Sequence, residues 1–167
     1  MASAWDTIAA TVASEFSDVT DLAQLTRIAV RLSLAALLGF VLGFEREQQG
    51  KAAGVRTHML VAIGSALFVL VPQQGGMQVA DLSRVIQGVV AGVGFLGAGA
   101  ILKLRDEEQV VGLTTAAGVF MTAAIGVACG LGRESTALLS TLLALAVLAV
   151  VPKLFAPGDR GEGRGGR

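Results

Sequence analysis

Gly92, Gly94 and Gly97 carry the spacing G-x-G-x-x-G, which in a soluble enzyme would form a dinucleotide-binding turn. That chemistry needs a strand before the glycines, a helix after them and an acidic residue about 20 positions on to hold the ribose. At that distance the chain reads Ala116-Ala117-Gly118, which offers no carboxylate. The nucleotide reading therefore fails, and the glycines need another explanation.

A second group of reactive types lies at Glu45-Arg46-Glu47 and, after a short loop, Arg56-Thr57-His58. A guanidinium can grip a carboxylate with two parallel hydrogen bonds, so Arg56 is expected to pair with Glu45 or Glu47 and fix this hairpin. The two carboxylates could instead offer oxygens to a hydrated Mg²⁺, but flanking arginines make a poor cation cage. His58 has no second His or Cys near it in sequence, so a hydrogen bond at the rim is expected rather than a metal. Thr114-Thr115 could cap a helix or bond across to a neighbouring one. Cys129 is a lone thiol suited to packing. Asp106-Glu107-Glu108 reads as a solvated turn that could dock a partner. No set of residues has the spacing of a metal site or of a nucleophile with its base, so neither an enzyme nor a cofactor is expected.

The elements that must hold these residues are set by composition. The chain has 167 residues, 53% of them hydrophobic and only 16% charged. Thirteen basic and thirteen acidic residues balance, leaving no bulk charge for nucleic acid. Five apolar runs, Ile28–Phe44, Thr57–Pro72, Val85–Leu102, Leu113–Leu131 and Ser135–Phe155, contain no Asp or Glu. Each approaches the roughly 20 helical residues needed to cross a hydrocarbon core. None shows the polar stripe of a long soluble helix. The expected fold is an all-α integral membrane protein, a bundle of about five transmembrane helices over residues 27–155, in contact with membrane lipids.

Lys and Arg near the ends of the runs give the orientation. Nine lie in the loop 45–56, the loop 103–112 and the tail, against Arg27, Arg31, Arg84 and Arg133 on the other side. This places the C-terminus in the cytoplasm and the N-terminus outside. Residues 1–26 form an outward segment in which Trp5, Ile8, Val12, Phe16 and Val19 recur at helical spacing, as in an interfacial amphipathic helix. Residues 156–167 are Gly/Arg-rich and expected to be a disordered cytoplasmic tail.

In this frame the glycines become packing positions. Between helices in lipid the attraction is close van der Waals contact, which small residues permit. Gly88 and Gly92 form G-x-x-x-G, Gly99 continues that face, and Gly94 and Gly97 lie on others. Small residues all round imply neighbours all round, so the third run is expected at the bundle centre, with homo-oligomers a natural outcome. Arg31 lies inside the first run, about one turn from its outer end. Its stem can snorkel outward, and Asp81 or Gln87 are expected partners in an outer polar site with Arg84.

Three blocks resemble one family: LGFEREQQGKAAGVRTHMLVAIGSALF (42–68), RVIQGVVAGVGFLGAGAIL (84–102) and VVGLTTAAGVFMTAAIGVACGLG (110–132). Together they look like the membrane domain of the MgtC/SapB family of bacterial inner-membrane proteins. The resemblance implies a multi-pass inner-membrane location and a role in adaptation to low Mg²⁺ and survival inside host phagocytes. It also implies regulation of membrane complexes such as the F-type ATP synthase as partner. Virulence-type members continue into a folded cytoplasmic domain where this sequence has its Gly/Arg-rich tail, and Phe120 stands where the family commonly has Trp. The reading is a non-enzymatic membrane regulator; the alternative is a transporter or channel for Mg²⁺ or another cation.

Overall fold

The computed structural model describes residues 3–15, 21–103 and 110–154. The acidic trio 106–108, Phe16, Val19 and the tail 156–167 lie outside the described residues. A short helix α1 (Ala4–Glu15) is followed by five long ones: α2 (Leu22–Gln48), α3 (Val55–Gln74), α4 (Val79–Ala100), α5 (Leu113–Gly130) and α6 (Glu134–Leu154). All five are long and apolar enough to cross a membrane. Between α4 and α5, β1 (Leu102–Lys103) and β2 (Val110–Val111) form a two-residue antiparallel ladder, the only strand pairing among the described residues.

The burial pattern is that of a protein whose solvent is lipid. Large apolar side chains face outward, with Phe95 80% and Leu142 64% exposed, while Arg46, His58, Ser65, Thr115, Thr122 and Thr141 are buried. In hydrocarbon an outward Leu gains as much as an inward one, so polarity no longer decides which face turns in. Fit between backbones does.

That fit puts α5, not α4, at the centre. α5 packs against α2, α3, α4 and α6, whereas α4 leans on α5 and, less extensively, on α3. The expectation that Gly88, Gly92, Gly94, Gly97 and Gly99 are the main contact positions is therefore corrected. A Cβ added at Gly88, Gly92, Gly94 or Gly99 would meet nothing within 4 Å, and one at Gly97 only Ala116, at 3.6 Å from its Cβ and 3.9 Å from its carbonyl oxygen. Gly88 and Gly92 instead line an apolar groove of about 600 Å³ between α3 and α4, with Gly64, Phe68, Leu60 and Leu96.

The tight helical glycines are on α2 and α5: on α2 a Cβ at Gly39 would stand 2.7 Å from the His58 carbonyl oxygen and one at Gly43 2.6 Å from Val55 Cα. A Cβ at Gly126 would stand 2.3 Å from the Ala62 carbonyl oxygen, and one at Gly130 2.5 Å from that of Ala66. Here α3 and α5 touch backbone to backbone. Their shared core holds Ala62, Ala66, Ile125 and Cys129, joined by Ala35, Leu38 and Leu42 of α2. The Thr122 and Thr141 hydroxyls are satisfied within their own helices, donating to the Gly118 and Ala137 carbonyls at 2.9 and 2.8 Å.

α1 starts with a reciprocal cap. The Ser3 amide donates to Asp6 Oδ2 at 2.9 Å and the Asp6 amide to Ser3 Oγ at 3.2 Å, which satisfies two free amides of its first turn. Hydrogen bonding to the carboxylate from the Ser3 amide, and then from the Ser3 side chain, holds the Asp6 carboxyl below its ordinary range. Trp5, Ile8 and Val12 of this helix are exposed.

Candidate functional site

The polar side chains gather at the two ends of the bundle. At one end α2 stops, α3 starts and α5 starts; Glu45, Arg46, Glu47, His58 and Thr115 lie here. The other end carries Arg27, Arg31, Gln73 and Glu134.

At the first end the ion pair joins different residues from those expected. Arg46, only 2% exposed, forks onto its own neighbour: Nε donates to Glu45 Oε2 and Nη2 to Glu45 Oε1, the latter at 2.6 Å. Nη2 also reaches the Leu148 carbonyl of α6 at 3.3 Å. Burying a charge is costly unless it is paired and hydrogen-bonded, and this guanidinium is both. The expected Arg56 pairing is corrected. Arg56 and Thr57 are exposed, and among the described residues Arg56 forms no hydrogen bond or ion pair. The reason is geometric: Arg46 lies on the face of α2 that α5 and α6 cover, while Arg56 points out of the first turn of α3.

Glu47 has a separate task. Its Oε2 accepts the Val55 amide at 2.9 Å, which caps the start of α3 from the end of α2. So the two carboxylates have different protein partners. One neutralises Arg46 and the other closes the hairpin.

His58 is more deeply placed than a rim residue. It is fully buried, its Nδ1 donates to the Gly54 carbonyl at 2.9 Å, and its Nε2 has no hydrogen-bond partner. Nε2 faces Gly118 of α5, where an added Cβ would lie 3.5 Å away. With the proton on Nδ1, Nε2 presents a bare lone pair to the α3–α5 contact. Thr115 is buried one turn away on α5 and Thr114 is exposed. Neither caps α5, which begins at Gly112 with a φ of 93° and no side-chain cap bond. Only glycine suits that position, since a Cβ would also fall 2.0 Å from the Ala100 carbonyl oxygen.

At the second end the expected grouping of Arg31 with Arg84, Asp81 and Gln87 is corrected. Arg84 and Gln87 are exposed on α4, away from Arg31. Arg31 Nη1 donates instead to Gln73 Oε1 at 2.9 Å and to the Gly130 carbonyl at 3.0 Å, with its Nε 4.0 Å from Glu134 Oε1. It thus ties α2 to α3 and to the end of α5. Gln73 and Glu134 were not singled out by the sequence; both sit at helix ends at the depth of Arg31, a signal that topology alone could have supplied. Among the described residues no cluster of three or more His, Cys, Asp or Glu could hold a metal.

These features define a multi-pass helical membrane protein with a charge-buffered rim and a glycine-packed centre. The chain belongs to the MgtC family, whose model matches residues 32–156. It is similar to SrpB of Synechococcus elongatus, 45% identical over 138 residues that cover 76% of each chain. YhiD of Escherichia coli K12, provisionally named a magnesium transporter, is 44% identical over 132 residues, 75% of this chain and 60% of YhiD. MgtC of Brucella abortus is 42% identical over 132 residues, 78% of this chain and 53% of that protein. The chain thus spans about half to three fifths of the length of these last two relatives. No solved structure matches it.

Proposed function

We propose that this chain is a non-catalytic regulator of the bacterial inner membrane, acting in adaptation to low Mg²⁺ by contact with other membrane proteins. Its C-terminus and Glu45 rim face the cytoplasm in this reading, and the F-type ATP synthase is the partner class suggested by family resemblance. One observation carries it. The stretches 32–44, 59–71, 85–100, 113–132 and 135–152 contain no Asp, Glu, Lys or Arg. Ion pathways ordinarily place ionisable or carbonyl-lined sites at midplane. Here the charged groups stand at the ends, and Arg46 and Arg31 are already engaged. The open small-residue face of α4 supports the second half of the proposal, since it offers another helix a close approach.

The transporter name of the Escherichia coli relative keeps a second reading in view. Purified protein in liposomes loaded with a Mg²⁺ indicator separates the two. Flux no greater than in protein-free liposomes, with specific photocrosslinking from Gly92 to a membrane protein in cells, supports the regulator. Mg²⁺ entry that scales with protein and vanishes in Arg46→Ala would overturn it.

A further inference from the structure

At the Arg31 end a polar pocket of about 430 Å³ opens between the start of α2 and the end of α3, lined by Asp21, Gln24, Arg27, Arg31, Gln73 and Gln74. Ile28 and Leu70 also line it, giving one apolar wall. We propose that this pocket binds a phosphate-bearing headgroup of a membrane lipid.

The donors outnumber what the protein uses. Arg31 spends only Nη1 on hydrogen bonds, to Gln73 and Gly130, and its Nε is 4.0 Å from the nearest carboxylate oxygen, too far for one. Arg27, one turn earlier on the same face of α2, has no hydrogen bond or ion pair among the described residues. Gln73 accepts from Arg31 through its oxygen, which leaves its amide hydrogens to donate. The single carboxylate in the lining, Asp21, is engaged as the cap of α2, accepting the Ala23 amide at 3.1 Å. Two guanidinium groups and several carboxamides thus converge with one occupied anion between them.

The shape of that surplus selects the ligand class. Donors come from two helices and several directions, which suits a tetrahedral oxyanion with oxygens on all sides. Guanidinium groups favour phosphate through paired, charge-assisted bonds. The pocket is larger than phosphate alone requires, and it opens where two apolar spans, Leu22–Gln48 and Val55–Gln74, begin and end, at the depth of lipid headgroups. That position favours a phosphate attached to a glycerolipid over a free one. The inference is independent of the regulator reading and of which leaflet the pocket faces.

Native mass spectrometry of the purified full chain tests it, with phosphatidylglycerol, the diacylglycerol of the same acyl chains, and inorganic phosphate as probes. Wild type should retain phosphatidylglycerol over diacylglycerol. Arg27→Gln should weaken that retention roughly tenfold, the loss of one charge-assisted contact. Arg133→Gln, which removes an exposed charge outside the pocket, should leave it unchanged. Gln74→Leu serves as a second variant with a smaller loss, should Arg27→Gln disturb assembly on gel filtration. Displacement of the lipid by millimolar phosphate would keep the oxyanion chemistry and overturn the lipid as its source. Equal retention of diacylglycerol, or equal effects of the Arg27 and Arg133 variants, would overturn the site.

Discussion

Adding one methyl group to Gly126 should distinguish a bundle centred on α5 from one centred on α4. In Gly126→Ala the new Cβ would lie 2.3 Å from the Ala62 carbonyl oxygen and 2.9 Å from Ser65 Cβ. Ordinary contact needs roughly 1 Å more, and the obstacle is backbone, so α3 and α5 must separate. Overpacking of this kind costs about 1–3 kcal/mol. Alanine repays part of it, because it is better than glycine in a helix by about 0.8–1.0 kcal/mol. Gly92→Ala receives the same helical gain with no clash, since nothing lies within 4 Å of the new atom. The two variants should therefore differ by about 1–3 kcal/mol, with Gly92→Ala at or above wild type. Reversible unfolding in mixed micelles, titrated with SDS and followed by circular dichroism, measures the difference directly. Equal stability, or Gly92→Ala the weaker of the two, would refute the placement of α5 at the centre.

Other perturbations follow from the two rims. Arg46→Ala leaves the Glu45 carboxylate partly buried and unpaired and should cost about 3–5 kcal/mol in the same titration; Arg56→Gln, at an exposed unpaired position, should stay within about 0.5 kcal/mol of wild type. Glu47→Ala removes the acceptor for the Val55 amide and should cost about 0.5–2 kcal/mol, with faster hydrogen exchange confined to the first turn of α3. His58→Asn keeps a polar group able to donate to the Gly54 carbonyl but removes the ring atoms facing Gly118, and should cost about 1–3 kcal/mol as a packing defect at a fully buried site; a loss under about 0.5 kcal/mol would refute the close fit of His58 against α5. Because the Asp6 carboxyl titrates below its ordinary value, its cap on α1 is fully present above about pH 4 and is lost as pH falls through the lowered value. Amide exchange at Asp6 and Thr7 should accelerate in that acid window and be insensitive to it in Asp6→Asn.

The five spans were legible in the sequence because hydrocarbon thickness fixes helix length and excludes charge. Their neighbours were not. The same small-residue signal that drew attention to Gly88 and Gly92 is present on α5 as Gly118, Thr122, Gly126 and Gly130, four positions at intervals of four. A one-dimensional pattern says that a helix can be approached closely; it does not say which helix will do so. The rim shows the same limit. Glu45, Arg46 and Glu47 were recognisable as a charge cluster, but which arginine turns inward depends on the side of α2 that α5 and α6 cover. Arg31 was identified as a residue in need of partners, and those it found, Gln73 and the Gly130 carbonyl, come from the ends of α3 and α5, brought together only by the fold. His58 was read as interfacial because α3 starts near it, while the burial of its ring depends on the glycine opposite.

The central position of α5 has a consequence for biogenesis. α5 is the fourth of five spans to leave the ribosome, yet it is the helix on which all the others lean. During synthesis α2 and α3 can close on each other as a hairpin, held by the Glu47 cap, as soon as both are inserted. α4 then enters the bilayer before its principal partner exists and must wait there, glycines bare, until α5 arrives to separate its correct docking from any premature one.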